Sequence, residues 1–262
     1  MSPDGTEYGF ARMMTELAQQ LGMENSNFIN ASGWPQTGHL MSMRDLAILA
    51  DRLITDFPEF YPLFAEQEFE FDNRVPSNRL NRNPLLSMGI GADGLKTGHT
   101  QEAGYGLVGS AKQGNRRVIF VITGLDSVAQ RAQESQAIVT WAFRQFTMRD
   151  IAKEGQPLAQ AEGWMGSAPT VGLGAGEHTS VLMPALAPSN VEAEVVFTGP
   201  VEAPIAKGDA LAELVFTPEG MPEVRLPLVA DKDVPAGGFV SRISTAAIIL
   251  FNSLMQRSEG QT

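Results

Sequence analysis

The hydrophobic pattern of this chain changes character at Arg149, and that change limits the folds open to it more than any other feature. Before it, apolar residues recur at helical spacing, alternate as strands, and return to helical spacing. Phe10, Met14, Leu17 and Leu21 follow at intervals of four, three and four, which predicts the buried face of a first helix. Asp4 or Thr6 can cap it, and Gly22 stops it. A second helix opens at Ser42 with Asp45 as its capping-box partner, buries Leu46, Leu49, Leu53 and Ile54, and ends before Pro58. Residues 66–71 alternate as an edge strand does, and a Pro- and Asn-rich loop follows over 72–84. Three strand-like runs come next: Gly94 to Gly98, Tyr105 to Ala111 and Arg117 to Gly124. The turn Lys112-Gln113-Gly114-Asn115 joins the last two as an antiparallel hairpin. A helix from Ser127 to Phe146, with Ile138, Trp141, Ala142 and Gln145 turned inward, closes this region. Helices, an antiparallel sheet and a covering helix give the α+β class.

Residues 150–235 are rich in Gly, Pro and Val and carry short alternating runs at 192–197, 211–216 and 224–229. Turns at Thr198-Gly199-Pro200, Lys207-Gly208-Asp209 and Pro218-Glu219-Gly220 separate them, as in a small all-β sandwich. Over 239–255, Phe239, Ile243, Leu250 and Leu254 share one helical face, flanked by Arg242 and Arg257. Such a tail either lies in a membrane interface or packs on protein.

Charge removes one class of partner. Lys and Arg total 19 against 30 Asp and Glu, a net charge of −11, so the chain lacks the basic face that nucleic acid requires. The absence of cysteine excludes disulfides and thiolate chemistry. Three separated histidines, with no motif around His39 or His178, argue against a metal site, and no cofactor is expected. The opening Met1-Ser2-Pro3-Asp4-Gly5 is polar, unlike an export signal, and no run reaches the roughly 18 apolar residues of a membrane span. The chain is therefore expected to be cytosolic or to lack its true beginning.

The chemistry-bearing stretch is Asp93-Gly94-Leu95-Lys96-Thr97-Gly98-His99-Thr100. On a strand edge, Lys96 offers a positive charge and Thr97 a hydroxyl to a peptide carboxylate. Gly98 lets an extended backbone lie against the strand and pair with it. Lys-Thr-Gly is also one of three motifs of penicillin-binding proteins and class A β-lactamases, beside Ser-x-x-Lys and a Ser-Asp-Asn type motif.

With the flanking residues, the stretch resembles the low-molecular-mass D-alanyl-D-alanine carboxypeptidases. The same resemblance runs through Ala103-Gly104-Tyr105-Gly106-Leu107-Val108-Gly109-Ser110-Ala111, Leu80-Asn81-Arg82-Asn83, and Arg131 with Glu134-Ser135. It extends to Trp141-Ala142-Phe143, Asn30-Ala31-Ser32-Gly33 and Ser42-x-Arg44-Asp45-Leu46-Ala47. The resemblance implies the C-terminal part of a β-lactamase-like transpeptidase domain over 1–148. A β-sandwich over 149–238 and a membrane-anchoring tail over 239–262 would follow. It implies that Lys96 and Thr97 contact the terminal carboxylate of a peptidoglycan stem peptide or a β-lactam antibiotic, with Gly98 and His99 on the same edge. Arg82 and Arg131 match family arginines near the substrate, although structural ion pairs are the alternative. A periplasmic place, peripheral on the inner membrane through the tail, follows from the same resemblance.

The chain departs from the family in one respect. It holds no Ser-x-x-Lys with the right surroundings and no Ser-x-Asn, so the nucleophile and its activating lysine are not here. Ser26-Asn27 and Ser189-Asn190 lack the spacing. The expectation is an enzyme family member truncated at its N-terminus, inactive alone, or a non-catalytic envelope scaffold. A class A β-lactamase is disfavoured because those enzymes have no C-terminal sandwich with a tail.

Overall fold

A computed structural model describes residues 4–71, 74–188 and 192–238. The expected tail helix over 239–262 lies outside them. The chain divides into two compact units between residues 144 and 145.

In the first unit, helix α1 spans Glu7–Gln20 and is capped by Thr6, whose Oγ1 accepts from the Gly9 amide at 2.9 Å. Its buried stripe is not the expected one. Gly9, Ala11 and Ala18 are buried, whereas Phe10 is 41% and Leu17 55% exposed. The buried face lies one residue along, where small side chains allow close approach; there Thr15 Oγ1 accepts from the Phe28 amide at 2.9 Å. Helix α2, Met43–Asp56, starts at Ser42 as expected, with Ser42 Oγ accepting from the Asp45 amide. The second half of the capping box is absent. The fully buried Asp45 carboxylate turns away to accept from the Asn25 amide and Ser26 Oγ, both at 2.8 Å, and pins the preceding loop.

Residues 66–71 do not form the expected edge strand. A single bridge joins Glu68 to Leu80, and the chain beyond it coils into a 3₁₀ turn at Pro76–Arg79, so no ladder can extend. Phe69 and Phe71 are accordingly 71% and 85% exposed.

Strands β1 (Ala92–Thr100), β2 (Gly104–Gln113) and β3 (Arg116–Leu125) make an antiparallel sheet in that order. Gly109 is required in β2: a Cβ there would stand 2.2 Å from the Phe120 ring, which lies across the strand. Helix α3, Val128–Gln145, buries Arg131, Ser135, Val139 and Ala142. Ala142 was expected inside, but Trp141 and Gln145 are exposed, because the buried stripe advances by four, four and three from Arg131. The fully buried Leu85, Leu107 and Val139 meet at the centre with Ala111 and Phe120. Each such large side chain contributes roughly 1.5–3 kcal/mol of burial.

The second unit is all-β. Strands β4 (Phe146–Ala152) and β7 (Thr179–Pro184) form one ribbon. The other strands are β5 (Pro157–Trp164), β6 (Thr170–Ala175), β8 (Glu194–Val196), β9 (Val201–Glu202), β10 (Ala210–Phe216) and β11 (Val224–Ala230). They form a six-stranded sheet ordered β8-β10-β11-β6-β5-β9. Its core gathers Val171, Leu173, Leu228 and Val234, each at most 1% exposed.

Candidate active site

The outer edge of β1 is open among the described residues, since β1 pairs only with β2. Along it Lys96 opposes Val108, Thr97 opposes Leu107, Gly98 opposes Gly106 and His99 opposes Tyr105. Alternation buries Leu95 and Thr97 and exposes Lys96 and Gly98. A Cβ at Gly98 would meet nothing within 4 Å, so the space an incoming backbone needs beside it is empty.

Two arginines close on this edge from elsewhere in the chain. Arg131, from the first turns of α3, is 4% exposed and donates to the Arg82 carbonyl at 3.1 Å. Its guanidinium lies 5.8 Å from the Tyr105 ring centre, and Tyr105 in turn stacks on His99 at 3.9 Å between centroids. Arg131 Nε is buried without a hydrogen-bond partner. Lys96 Nζ donates to the Thr97 carbonyl. Among the described residues, no carboxylate lies within ion-pair distance of Lys96, Arg82 or Arg131. Partial burial, and then the charges of Arg82 and Arg131, push the Lys96 ammonium below its usual pKa of 10.5. Burial and Arg82 likewise lower Arg131. Lys96 and Arg131 thus sit partly desolvated in the field of Arg82, with no carboxylate among the described residues close enough to pair with them. Thus the structure brings together all six residues singled out from sequence, and the ion pairs considered for Arg82 and Arg131 do not occur among the described residues.

The loop carrying Arg82 is tied to β1 by its neighbour. Asn83 is buried, donates through Nδ2 to the Gly94 carbonyl at 2.9 Å and accepts from the Leu85 amide at 3.1 Å. Asn81 holds the same loop through the Phe64 and Glu66 carbonyls. Tyr105, part of the 103–111 stretch, carries no sequence signal of its contact with His99. Its place opposite His99 becomes visible only once the β1–β2 register is known. The polar group around Asp93 is equally silent in the sequence, because its members come from four separate segments.

Among the described residues, His39 and His178 make local contacts only within their own units. The first accepts from the Ile29 amide and meets Phe28 edge-on; the second sits beside Ser180 and Asp150. Asn30, from the Asn-Ala-Ser-Gly stretch, ties its own loop to Trp34 and Gly33. Among the described residues no helix is long and apolar enough to cross a membrane.

Comparison with known proteins bears on the family and the fold. A family model described as D-alanyl-D-alanine carboxypeptidase matches residues 3–127, and one described as penicillin-binding protein 5, C-terminal domain, matches 146–236. D-alanyl-D-alanine carboxypeptidase DacC of Escherichia coli is 36% identical over 95% of this chain and 62% of its own length. The crystal structure of penicillin binding protein 5 from Haemophilus influenzae superposes with a TM-score of 0.72 at 31% identity, covering 88% of this chain and 67% of that one. The carboxypeptidase DacD of Francisella tularensis gives 0.68 at 26% identity, over 88% and 69%. The chain spans about three fifths of the length of the curated relatives it matches.

Proposed function

Because this chain belongs to the D-alanyl-D-alanine carboxypeptidase family, we propose that β1 is the carboxylate-binding wall of a serine-type enzyme that removes the terminal D-alanine from peptidoglycan pentapeptides. The observation that carries the reading is the uncompensated set of Lys96, Arg82 and Arg131 beside an open strand edge. An extended stem peptide lies along β1 as an added strand, its backbone pairing with the strand and passing close over Gly98. Its terminal carboxylate meets the Lys96 ammonium and the Thr97 hydroxyl, while Arg131 and Arg82 raise the local positive potential. His99, held by Tyr105, shapes the end of the groove. A β-lactam presents the same carboxylate to the same edge.

In the complete reaction a serine attacks the penultimate carbonyl, D-alanine leaves, and water releases the acyl group. The serine and its lysine are not among these 262 residues, which contain no Ser-x-x-Lys. The second reading is a non-catalytic envelope scaffold that keeps the recognition edge. In either reading residues 1–148 form the carboxypeptidase part and 149–238 a β domain. Residues 239–262 then hold the protein on the periplasmic face of the inner membrane.

The test is a titration of the full chain with an N-acetylated tripeptide ending in D-alanyl-D-alanine, followed by backbone amide shifts. Saturable shifts at Lys96–His99, lost in Lys96→Ala, are expected, and binding should fade as pH rises through a Lys96 pKa lying below 10.5. Shifts that persist in Lys96→Ala would sink the carboxylate reading. Labelled penicillin should leave no covalent adduct, and an adduct would mean that the chain holds a nucleophile.

A further inference from the structure

Strand β1 contains one residue more than its partner between Ala92 and Gly94. Ala92 faces Ala111 and Gly94 faces Ser110, which leaves Asp93 unpaired in a bulge. A one-residue change of register exchanges the two faces of a strand, so this bulge sets the facing of Lys96 and Thr97. The bulged residue is held firmly. Tyr61 donates its hydroxyl to Asp93 Oδ1 at 2.9 Å, and Arg117 pairs with both carboxylate oxygens at 2.8 Å. Arg117 also donates to Ser110 Oγ on β2, and its guanidinium lies 5.1 Å from the Tyr61 ring centre. Gly94 completes the fit. A Cβ there would stand 2.7 Å from the Tyr61 hydroxyl, so only glycine lets that ring reach the carboxylate. On the next residue Asn83 grips the Gly94 carbonyl.

These groups are distinct from the cationic residues, yet together they hold Asp93 and Gly94, just ahead of Lys96. We infer that the Tyr61–Asp93–Arg117 clamp, with Ser110, is a positioning device that sets the facing of Lys96 and Thr97. Tyr61, Asp93 and Arg117 are thus positioning residues that act through the strand. The inference rests on β1 being the carboxylate-binding edge, but its first measurement is independent of any ligand.

The experiment compares the full chain with Tyr61→Phe, which removes one hydroxyl and no volume, and with Asp93→Asn, which keeps shape and removes charge. Amide hydrogen exchange is read strand by strand, together with binding of the D-alanyl-D-alanine tripeptide. Exchange at Leu95–Gly98 should quicken about tenfold or more, the effect of one lost hydrogen bond to a charged group, while β3 and α3 stay protected. Tripeptide affinity should fall by a similar factor, and the double variant should lose less than the two single losses combined. If both variants leave exchange and affinity unchanged, the clamp does not position the strand. Faster exchange spread evenly over β1, β2 and β3 would make the cluster a general stabiliser and also overturn the inference. If the unaltered chain binds no tripeptide while exchange at Leu95–Gly98 still quickens, the clamp stands and the carboxylate reading fails.

Discussion

The two units of this chain solve the problem of burial in opposite ways. The all-β unit gathers eight buried residues into one cluster, and its six-stranded sheet ends in strands of only three and two residues, β8 and β9. Short edge strands offer little to another chain. The α+β unit has two smaller clusters, and its sheet ends in β1 and β3, nine and ten residues long. Among the described residues the outer edge of β3 is unpaired, and beyond Arg116 and Arg117 it runs through the apolar stretch Val118-Ile119-Phe120-Val121-Ile122. The same unit exposes Tyr8, Leu17, Trp34, Phe60, Leu63, Phe69 and Phe71, each more than half accessible. The unit that carries Lys96 and the nearby arginines is thus the one with long open sheet edges and the larger set of exposed apolar side chains, whereas the sheet of the β unit ends in short strands.

Separating the units is the strongest way to break this comparison. Residues 145–238 alone should melt cooperatively as a monomer. Residues 1–148 alone should be poorly stable and associate through β3 and the exposed apolar faces, as light scattering would register. A cooperative, high-temperature, monomeric melt of 1–148 would remove the contrast.

Single substitutions sharpen it. Leu173→Ala, at a side chain with 0% exposure, should cost about 2–5 kcal/mol in denaturant melts of the β unit. Leu17→Ala, at 55% exposure, should stay within about 0.5 kcal/mol despite its place in the most regular apolar pattern of the N-terminal region. A large cost at Leu17 would mean that another surface covers α1.

That last pair also marks where sequence stopped being readable. The period of α1 was right, but two stripes shared it, one of large residues and one of Ala11, Thr15 and Ala18. Only the packing partner chooses between them, and here backbone approach favours the small stripe. The edge strand at 66–71 failed for a related reason: alternation describes the segment alone, while a strand needs a straight neighbour, and residues 76–79 coil. The three sheet strands could be read because adjacent hairpin-linked segments settle their own pairing. Lys96, Thr97, Gly98 and His99 could be proposed because they are contiguous, and Arg82 and Arg131 through family likeness. Asp93 stood in the quoted motif, but its partners Tyr61 and Arg117 lie 32 and 24 residues away. No local signal links them.

The smallest expected effect is a difference in how the units meet acid. Burial alone would raise the Asp45 carboxyl, but the Ser26 hydroxyl, the neighbouring Ser42 hydroxyl, the Asn25 amide and Arg44 hold it below 3.8. Burial is likewise outweighed at Asp93 by Arg117, Tyr61 and Ser110. A carboxyl whose folded pKa is depressed contributes stability that is present above its unfolded value and lost as pH falls through the folded one. Both therefore withdraw support from the α+β unit as pH drops below 3.8. In the β unit Asp150 is also lowered, first by Ser180 and then, against a small burial effect, by His178. Its side chain is 65% exposed, however, so water and salt screen most of that contribution. In an acid titration followed by amide exchange, protection in α2 and β1 should fail at a higher pH than protection in β6 and β11. Simultaneous loss would mean that the two units unfold as one and that their different routes to burial do not make them separately stable.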